Sequence, residues 1–288
     1  MRAKDTFFAK KSTINCGGKL LALDTPLIMG ILNLTADSFF DGGKYQSVEQ
    51  ALIQTEKMLA EGADIIDIGA VSTKPGSELI DPEKEWEIIK PVLIAIIQKF
   101  PEIIVSIDTY NSFTAEQSVK NGAHIINDVS GGNFDKNMFK TIAALKVPYI
   151  LMHIKGEPKN MQDNPQYQNV VTEVMDFFTK KVNDLKALGV NDIILDPGFG
   201  FGKTLNHNYE LLNNLNLFEI FELPILAGLS RKSMINKVLN INSIEALNGT
   251  SVLNTIALIN GANILRVHDV KEAKECVELI KFAQSIKN

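Results

Sequence analysis

The sequence has few of the residues that mark a secreted, metal-clustered or membrane-spanning protein. Its 288 residues include only two cysteines, Cys16 and Cys276, which lie far apart and in no metal-binding spacing. We therefore expect two reduced thiols rather than a disulfide or a zinc site. No apolar run is long enough to cross a bilayer, and the first residues lack the continuous apolar segment of a secretory signal. These absences predict a cytoplasmic protein that does not enter membranes.

Positive charge is not in excess either. The 29 lysines and arginines are outnumbered by 34 aspartates and glutamates, and the formal net charge of −5 offers no overall basic surface for nucleic acid. Apolar residues make up 45% of the chain, which is enough to bury a sizeable core. The length fits one large α/β domain over residues 1–288.

Short apolar runs recur along the chain and predict buried strands. They begin near Leu27, Asp64, Ile103, His124, Pro148, Asp192, Pro224 and Ile264. Continuous rather than alternating hydrophobicity is typical of strands that are covered on both faces, as in parallel sheets. Helical patterns lie between the runs, and one of them ends at Gly62. Strands alternating with helices fit either a closed barrel or a doubly wound open sheet.

Polar residues at the strand ends favour the barrel. An open sheet concentrates its ligand at one switch point, whereas here most of the runs end in polar, reactive side chains. That distribution suits a ring whose C-terminal rim forms the active site. We predict an α/β fold of the (β/α)8 TIM-barrel class, in a single domain. Residues 1–26 are expected to form an N-terminal hairpin segment at the barrel bottom, with Gly17 and Gly18 in its turn.

The strand ends supply two chemically different sets of side chains. The acceptors Asp108, Asn127 and Asp196 suit a flat nitrogen heterocycle, whose N–H groups need buried partners. The second set contains Lys232, Arg266, His268 and Asn33, from strands that adjoin on ring closure, where barrels commonly bind phosphate. The side-chain oxygen of Asn33 is also a ligand type that Mg²⁺ accepts beside phosphate oxygens. A single strand-end aspartate often only caps a helix, but seven such ends converging on one mouth favour a site.

Three motifs are excluded by their spacing. The segment GFGFGKT resembles a P-loop, but Pro197 stands where that motif requires its first glycine, five places before Gly202. The same segment is not a dinucleotide fingerprint, because its third glycine comes too early. His153 and His207 lack the spacing of zinc ligands.

The chain closely resembles the dihydropteroate synthase family. The segments MGILNLTADSFFDGG, GADIIDIG, STKPG, SIDT, INDVSGG, NMQ, DPGFGFGKT, GLSRKSMI and ILRVHDV follow that family's order from about residue 14 onward. The resemblance implies an enzyme of folate biosynthesis and a sulfonamide target. Such an enzyme joins 6-hydroxymethyl-7,8-dihydropterin diphosphate to 4-aminobenzoate, and releases pyrophosphate and 7,8-dihydropteroate. It also implies Mg²⁺ as cofactor and a homodimer.

The resemblance assigns a role to each candidate residue. Asp108, Asn127 and Asp196 would hold the pterin edge, Lys232 would reach its carbonyl and N5, and Met152 and Phe201 would shape the ring slot. Asn33, Arg266 and His268 would bind the diphosphate, with Asn33 as the metal ligand. The aminobenzoate pocket would comprise Phe39, Thr73, Lys74, Pro75, Phe201 and Ser233. The catalytic set would be Asp108, Lys232, Arg266 and His268.

Three residues depart from the family's loop patterns. Ala36 replaces the usual proline of the first loop, and Val71 and Lys74 replace an acid and an arginine of the second. Loss of proline increases loop freedom, and lysine lacks the planar fork of arginine. We therefore hypothesise altered arylamine affinity or sulfonamide sensitivity with intact pterin chemistry.

Two other functions compete with the synthase. A pterin-binding methyltransferase of the folate–corrinoid type would share the acceptor pocket but needs no diphosphate cluster. A catalytically silent pterin-binding paralogue would have no use for Lys232, Arg266 and His268. Pyrophosphate release that depends on an arylamine separates the synthase from both.

Overall fold

The computed structural model describes residues 11–34, 44–70, 80–156, 159 and 161–286, with the backbone alone for residues 44–46. Several residues of the sequence analysis lie outside these ranges, namely Ala36, Phe39, Val71, Thr73, Lys74 and Pro75. The strands are β1 (Thr13–Cys16), β2 (Lys19–Ala22), β3 (Leu27–Asn33), β4 (Ile65–Gly69), β5 (Ile104–Asp108), β6 (Ile125–Asp128), β7 (Tyr149–Met152), β8 (Ile193–Asp196), β9 (Leu226–Ala227) and β10 (Ile264–Val267).

Eight of these strands form one parallel sheet that closes on itself. Their order is β8-β7-β6-β5-β4-β3-β10-β9. The ring closes through an isolated parallel bridge between Leu195 and Ile225, where the Leu195 N–H donates to the Pro224 carbonyl at 2.8 Å. Each strand lies where an apolar run of the sequence predicts it, so the barrel prediction is confirmed and the open sheet is excluded.

Helices follow the barrel strands and cover the outside of the ring. They are α1 (Lys44–Ala60), α2 (Pro82–Lys99), α3 (Ser112–Lys120), α4 (Met138–Leu145), α5 (Val170–Ala187), α6 (Leu205–Asn213), α7 (Ser233–Leu239), α8 (Leu247–Ile259) and α9 (Val270–Ser285), with a 3-10 segment at Leu215–Phe221. Asp81 caps α2, because its side chain accepts the backbone N–H groups of Glu83 and Lys84. None of the helices in the described ranges is long and apolar enough to span a membrane.

The N-terminal hairpin closes the bottom of the barrel. β1 and β2 pair antiparallel, and Gly17 and Gly18 form the turn with φ of 64° and 96°. Such positive φ values favour glycine. Ile14 and Cys16 pack against the first residues of the barrel strands, as the sequence predicts. Both cysteines are buried free thiols.

Alternation along the strands separates an aliphatic floor from a polar mouth. The floor consists of Met29, Ile65, Ile104, Ile125, Ile150, Ile194, Leu226 and Ile264. Because side chains of a strand alternate between its two faces, the residues two places further on also point inward. They are Ile31, Asp67, Ser106, Asn127, Met152, Asp196, Gly228 and Arg266. The interior therefore changes from hydrocarbon to charged and amide groups within one step of two residues.

Candidate active site

An arginine between two carboxylates occupies the mouth of the barrel. Arg266 of β10 donates from Nε to Asp67 Oδ2 at 2.6 Å and from Nη2 to Asp108 Oδ2 at 2.6 Å. Burial alone would lower the pKa of Arg266, but the carboxylates of Asp67 and Asp108 outweigh it and raise that pKa. Arg266 was expected to belong with the phosphate-binding cations. The structure also puts it in direct contact with the acceptor set.

The three predicted acceptors are all buried, near the ends of β5, β6 and β8. Asp108 pairs in register with Asn127 across β5 and β6, and Met152 pairs with Asp196 across β7 and β8. Burial raises the pKa of Asp108 to about 7 although Arg266 opposes the rise. Burial also raises the pKa of Asp196, whose carboxylate accepts the Gly198 N–H at 2.7 Å. The site therefore holds carboxylates whose ionised forms gain from any added donor.

Lys232 lies beside these acceptors at the start of α7. Its ammonium donates to the carbonyl oxygen of Phe199, and its Nζ lies 4.7 Å from the ring centroid of Phe201. Burial lowers the pKa of Lys232 to about 8, and the Asp196 carboxylate offsets part of that fall. The buried Met152 and the half-buried Phe201 belong to one apolar cluster. A lysine and two apolar side chains thus border the acceptors, as a slot for a flat ring requires.

The remaining predicted residues lie at the exposed rim. Asn33 ends β3, His268 follows β10, and Ser233 opens α7. The His268 N–H donates to Ser230 Oγ at 3.2 Å. Desolvation in the mouth and the Arg266 charge lower the pKa of His268.

A metal ion at this rim would need ligands beyond the protein. In the part of the chain that the structure describes, no group of three or more His, Cys, Asp or Glu residues is arranged to hold a metal ion. Asn33 offers one exposed carboxamide oxygen, a hard donor of the type that Mg²⁺ accepts. This single oxygen fits a magnesium ion that is bound together with phosphate oxygens and water. It does not fit an ion that is coordinated by protein ligands alone.

Comparisons with known proteins identify the family of this chain. The family described as "Pterin binding enzyme" matches residues 29–268. The dihydropteroate synthase of Escherichia coli K12 is 42% identical over 94% of this chain and 96% of its own length. The chain belongs to the dihydropteroate synthase family. The family resemblance inferred from the sequence motifs is therefore confirmed.

Solved structures of the dihydropteroate synthase family share the fold. The Yersinia pestis enzyme, solved in a sulfonamide drug complex, has a TM-score of 0.89 at 40% identity, covering 95% of this chain and 99% of that one. The Xanthomonas albilineans enzyme, solved with 4-aminobenzoic acid, has a TM-score of 0.87 at 34% identity, covering 95% and 98%. These similarities extend over nearly the whole chain, so they include both the floor and the mouth of the barrel.

The SRKS segment, residues 230–233, contains two cations, Arg231 and Lys232, and Arg231 has a structural role. Arg231 forms a two-bonded ion pair with Asp269, at 2.9 Å from Nε and 2.8 Å from Nη2. Its Nη1 donates to the carbonyls of Ser243 and Ile244. Arg231 therefore has its anionic partner within the protein and needs none from a ligand. Of the pair, Lys232 is the one that faces the site.

The lysine of the GFGFGKT segment is structural as well. Lys203 is 3% exposed and donates to the carbonyls of Gly198 at 2.8 Å and Phe201 at 3.0 Å, with its Nζ 2.9 Å from His153 Nδ1. Burial lowers the pKa values of both Lys203 and His153 well below their ordinary ranges. The ammonium group joins the loop after β7 to the loop after β8, so it does not serve as a phosphate-binding P-loop lysine.

Gly198→Ala is expected to destabilise the protein far more than an alanine at a glycine of similar φ. A Cβ at Gly198 (φ 70°) would lie 2.0 Å from the His153 carbonyl oxygen, whereas Gly189 (φ 85°) has nothing within 4 Å of a Cβ. Gly189→Ala should therefore cost only the left-handed backbone strain, about 1 kcal/mol. Gly198→Ala adds displacement of a packed loop, for a total of about 3 kcal/mol. Urea unfolding of both variants measures the difference, and equal losses would refute the steric argument.

Two buried acids of the site region were missed or undervalued in the sequence. Asp67 is not among the candidate residues of the sequence analysis, although its position two residues after Ile65 places it inward. Glu85 on α2 is fully buried. Its Oε2 accepts from Thr109 Oγ1 at 2.9 Å, Asn111 Nδ2 at 2.8 Å and Thr114 Oγ1 at 2.6 Å. Its spacing of three and four residues from Ile88 and Ile89 was the available signal.

Proposed function

We propose that this chain, acting as one pterin-binding domain over residues 1–288, is a dihydropteroate synthase. It would condense 6-hydroxymethyl-7,8-dihydropterin diphosphate with 4-aminobenzoate to 7,8-dihydropteroate and pyrophosphate. The observation that carries the proposal is the mouth in which buried acceptors and two cations, Lys232 and Arg266, lie in contact or close by. Acceptors fit the donor-rich pterin and cations fit the departing diphosphate.

Pterin binding in this proposal uses the buried half of the mouth. Asp108, Asn127 and Asp196 accept the ring and amino N–H groups, whose desolvation requires charged or amide partners. Lys232 donates to the carbonyl and N5 side. Met152 and Phe201 flank the ring faces, where an apolar and an aromatic surface exclude water.

Bond breaking in this proposal occurs between the exocyclic methylene carbon and the diphosphate oxygen. The electron pair leaves with pyrophosphate, and the electron-rich dihydropterin delocalises the positive charge on the carbon. Arg266 and His268 stabilise the leaving group through charge-assisted hydrogen bonds. Asn33 would be the protein ligand of Mg²⁺, which would supply further charge neutralisation when bound.

Bond making follows from the arylamine. The neutral amine of 4-aminobenzoate attacks the methylene carbon, a carbon–nitrogen bond forms, and one proton leaves the nitrogen for solvent. Because an arylamine is nucleophilic while neutral, the attack needs no dedicated general base. Phe201 and Ser233 would form the described part of the arylamine pocket. Phe39, Thr73, Lys74 and Pro75 would complete it, and the 4-aminobenzoic acid bound by the Xanthomonas relative supports this substrate.

A coupled pyrophosphate assay with and without 4-aminobenzoate tests the function. The synthase releases pyrophosphate only with the arylamine. A folate–corrinoid methyltransferase would release none, and a silent paralogue would bind pterin without turnover.

The same assay with a sulfonamide drug, on wild type, Ala36→Pro and Lys74→Arg, tests the hypothesis that the loop departures alter arylamine affinity.

Pterin affinity is expected to be bell-shaped in pH. Ionised Asp108 is needed as an acceptor, so affinity should fall about tenfold per pH unit below its pKa of about 7. The Lys232 ammonium is needed as a donor, so affinity should also fall above its pKa of about 8. Calorimetry with 6-hydroxymethyl-7,8-dihydropterin, which has no phosphate and whose ring amide ionises well above pH 8, separates the protein groups from the ligand's own titration. Lys232→Arg should move the alkaline limb upward, and an unmoved limb would remove Lys232 from the assignment.

We also propose a homodimer through the outer face of α8 and α9, which pack on each other. These helices expose Val252, Ile259, Leu279 and Phe282, and exposed apolar side chains on packed helices are typical of an interface. Light scattering should give a dimer for wild type and a monomer for Ile259→Glu.

A cytoplasmic location fits the two free thiols, which that compartment keeps reduced.

A further inference from the structure

We propose that Asp67 is a positioning residue that fixes Arg266 and Asn127 at once, and so couples the diphosphate side of the site to the pterin side. The inference rests on the proposed function, because it concerns the same two ligands. Asp67 points inward from β4 and its side chain is fully buried. It therefore acts through its neighbours rather than through contact with a ligand.

A single oxygen of Asp67 accepts two donors. Oδ2 accepts from Arg266 Nε at 2.6 Å and from Asn127 Nδ2 at 3.0 Å. Arg266 in turn donates to Asp108 at 2.6 Å. These contacts form a continuous chain, Asn127–Asp67–Arg266–Asp108, across four strands. A shift of Asp67 would therefore move groups assigned to both ligands.

The contact with Asp67 sets the orientation of the Asn127 amide. The amide nitrogen must face the carboxylate, because an amide oxygen there would be repelled by the negative charge. The Asn127 oxygen is then the atom left to accept from a ligand. The acceptor character of Asn127, on which pterin binding depends, is thus a consequence of the charge on Asp67.

The same carboxylate sets the direction of Arg266. With Nε on Asp67 and Nη2 on Asp108, the guanidinium plane is held at two points. Among the described residues, Nη1 of Arg266 has no hydrogen-bond partner, which leaves its donors for an anion. The second oxygen of Asp67 is buried without a partner in the same described set. Among the described residues, Arg266 is the only cation that forms an ion pair with the Asp67 carboxylate.

Asp67→Asn tests the coupling by calorimetry with two separate probes, 6-hydroxymethylpterin and inorganic pyrophosphate with Mg²⁺. Loss of charge-assisted contacts to both neighbours should weaken binding of each probe about 10- to 100-fold. Asp128→Asn is the matched control. It neutralises another fully buried aspartate at the end of β6, which bonds to Ser130, Gly132 and Tyr149 rather than to the mouth. It should leave both affinities within about twofold of wild type, about 0.4 kcal/mol.

A double-mutant cycle separates positioning from general weakening. If Asp67 acts through Asn127, Asp67→Asn should add little to the pterin loss already caused by Asn127→Ala. Additive losses, or unchanged affinities in a folded Asp67→Asn protein, would overturn the inference. Should that variant not fold, Asp67→Glu keeps the charge, displaces it by one methylene and is read in the same way. Wild type that binds neither probe would instead overturn the proposed function, and the inference with it.

Discussion

Asp108→Asn is expected to lower kcat/KM for pyrophosphate release about a thousandfold. Removing one partner of a buried, hydrogen-bonded charge pair at a binding site costs about 2–5 kcal/mol of binding energy, and each 1.4 kcal/mol is tenfold in rate. Asp108 is 9% exposed and accepts Arg266 Nη2 at 2.6 Å. The variant therefore replaces a charged acceptor for the pterin with a neutral amide, and it leaves Arg266 with Asp67 as its sole carboxylate partner among the described residues. Steady-state assays with varied pterin diphosphate give kcat and KM separately.

Asp192→Asn is the control for losing a paired acid elsewhere in the barrel. Asp192 forms an ion pair with Lys11 at 2.7 Å just before β8, at the end of the barrel opposite the mouth. Its loss should change kcat/KM by less than about twofold, because this partly buried pair lies at the end of the barrel opposite the mouth and contacts no residue assigned to a ligand. A fall of less than tenfold in Asp108→Asn would show that the pterin edge is held by other groups.

Lys203→Met is expected to lower the free energy of unfolding by about 3 kcal/mol. The ammonium donates to the carbonyls of Gly198, Phe201 and His153 and lies beside the His153 ring, and each buried group left unpaired costs about 1–3 kcal/mol. Relief of the desolvation that lowers the pKa of Lys203 offsets part of this loss. Pterin affinity should fall too, because the joined loops carry Phe201 and flank Asp196. Urea unfolding and calorimetry measure the two effects.

Lys155→Met is the matched control on a neighbouring segment. Lys155 donates to Glu173 at 3.0 Å, but its side chain is 43% exposed. Water can replace the contacts that it loses, so the expected cost is about 1 kcal/mol or less. Equal destabilisation by both variants would show that burial of Lys203 is not what makes its contacts matter.

The sequence was sufficient for the strands because their signal is local. In β4 apolar residues cover both faces, with Ile65 in the floor and Ile66 and Ile68 in the outer core, and the inward positions follow from alternation alone. The same rule brought out Asp108, Asn127 and Asp196, each at the end of a strand and each buried in the structure. Position along a strand therefore predicts which residues reach the mouth.

The partners of those residues were not predictable in the same way. Arg266 contacts Asp67 and Asp108 from a strand that is far away in the chain, and that contact depends on how β10 pairs with β3 when the ring closes. Lys203 follows a glycine-rich loop that resembles a phosphate site, and only its burial against backbone carbonyls shows otherwise. Local patterns carry no information about such long-range contacts.

The contact between β8 and β9 is the weakest seam of the ring, and it links substrate binding to the stability of the fold. β8 and β9 meet only at the isolated bridge of Leu195 with Ile225, and Asp196 and Lys232 follow on its two sides. Amide hydrogens at this seam should exchange with solvent sooner than those between β4 and β5, which share five registered pairs. A pterin bound to both Asp196 and Lys232 would connect the two sides of this seam and stabilise the contact between β8 and β9. Bound substrate would then slow amide exchange at Leu195 more than in the rest of the barrel. The ligand would thus supply stability where the sheet has few backbone hydrogen bonds.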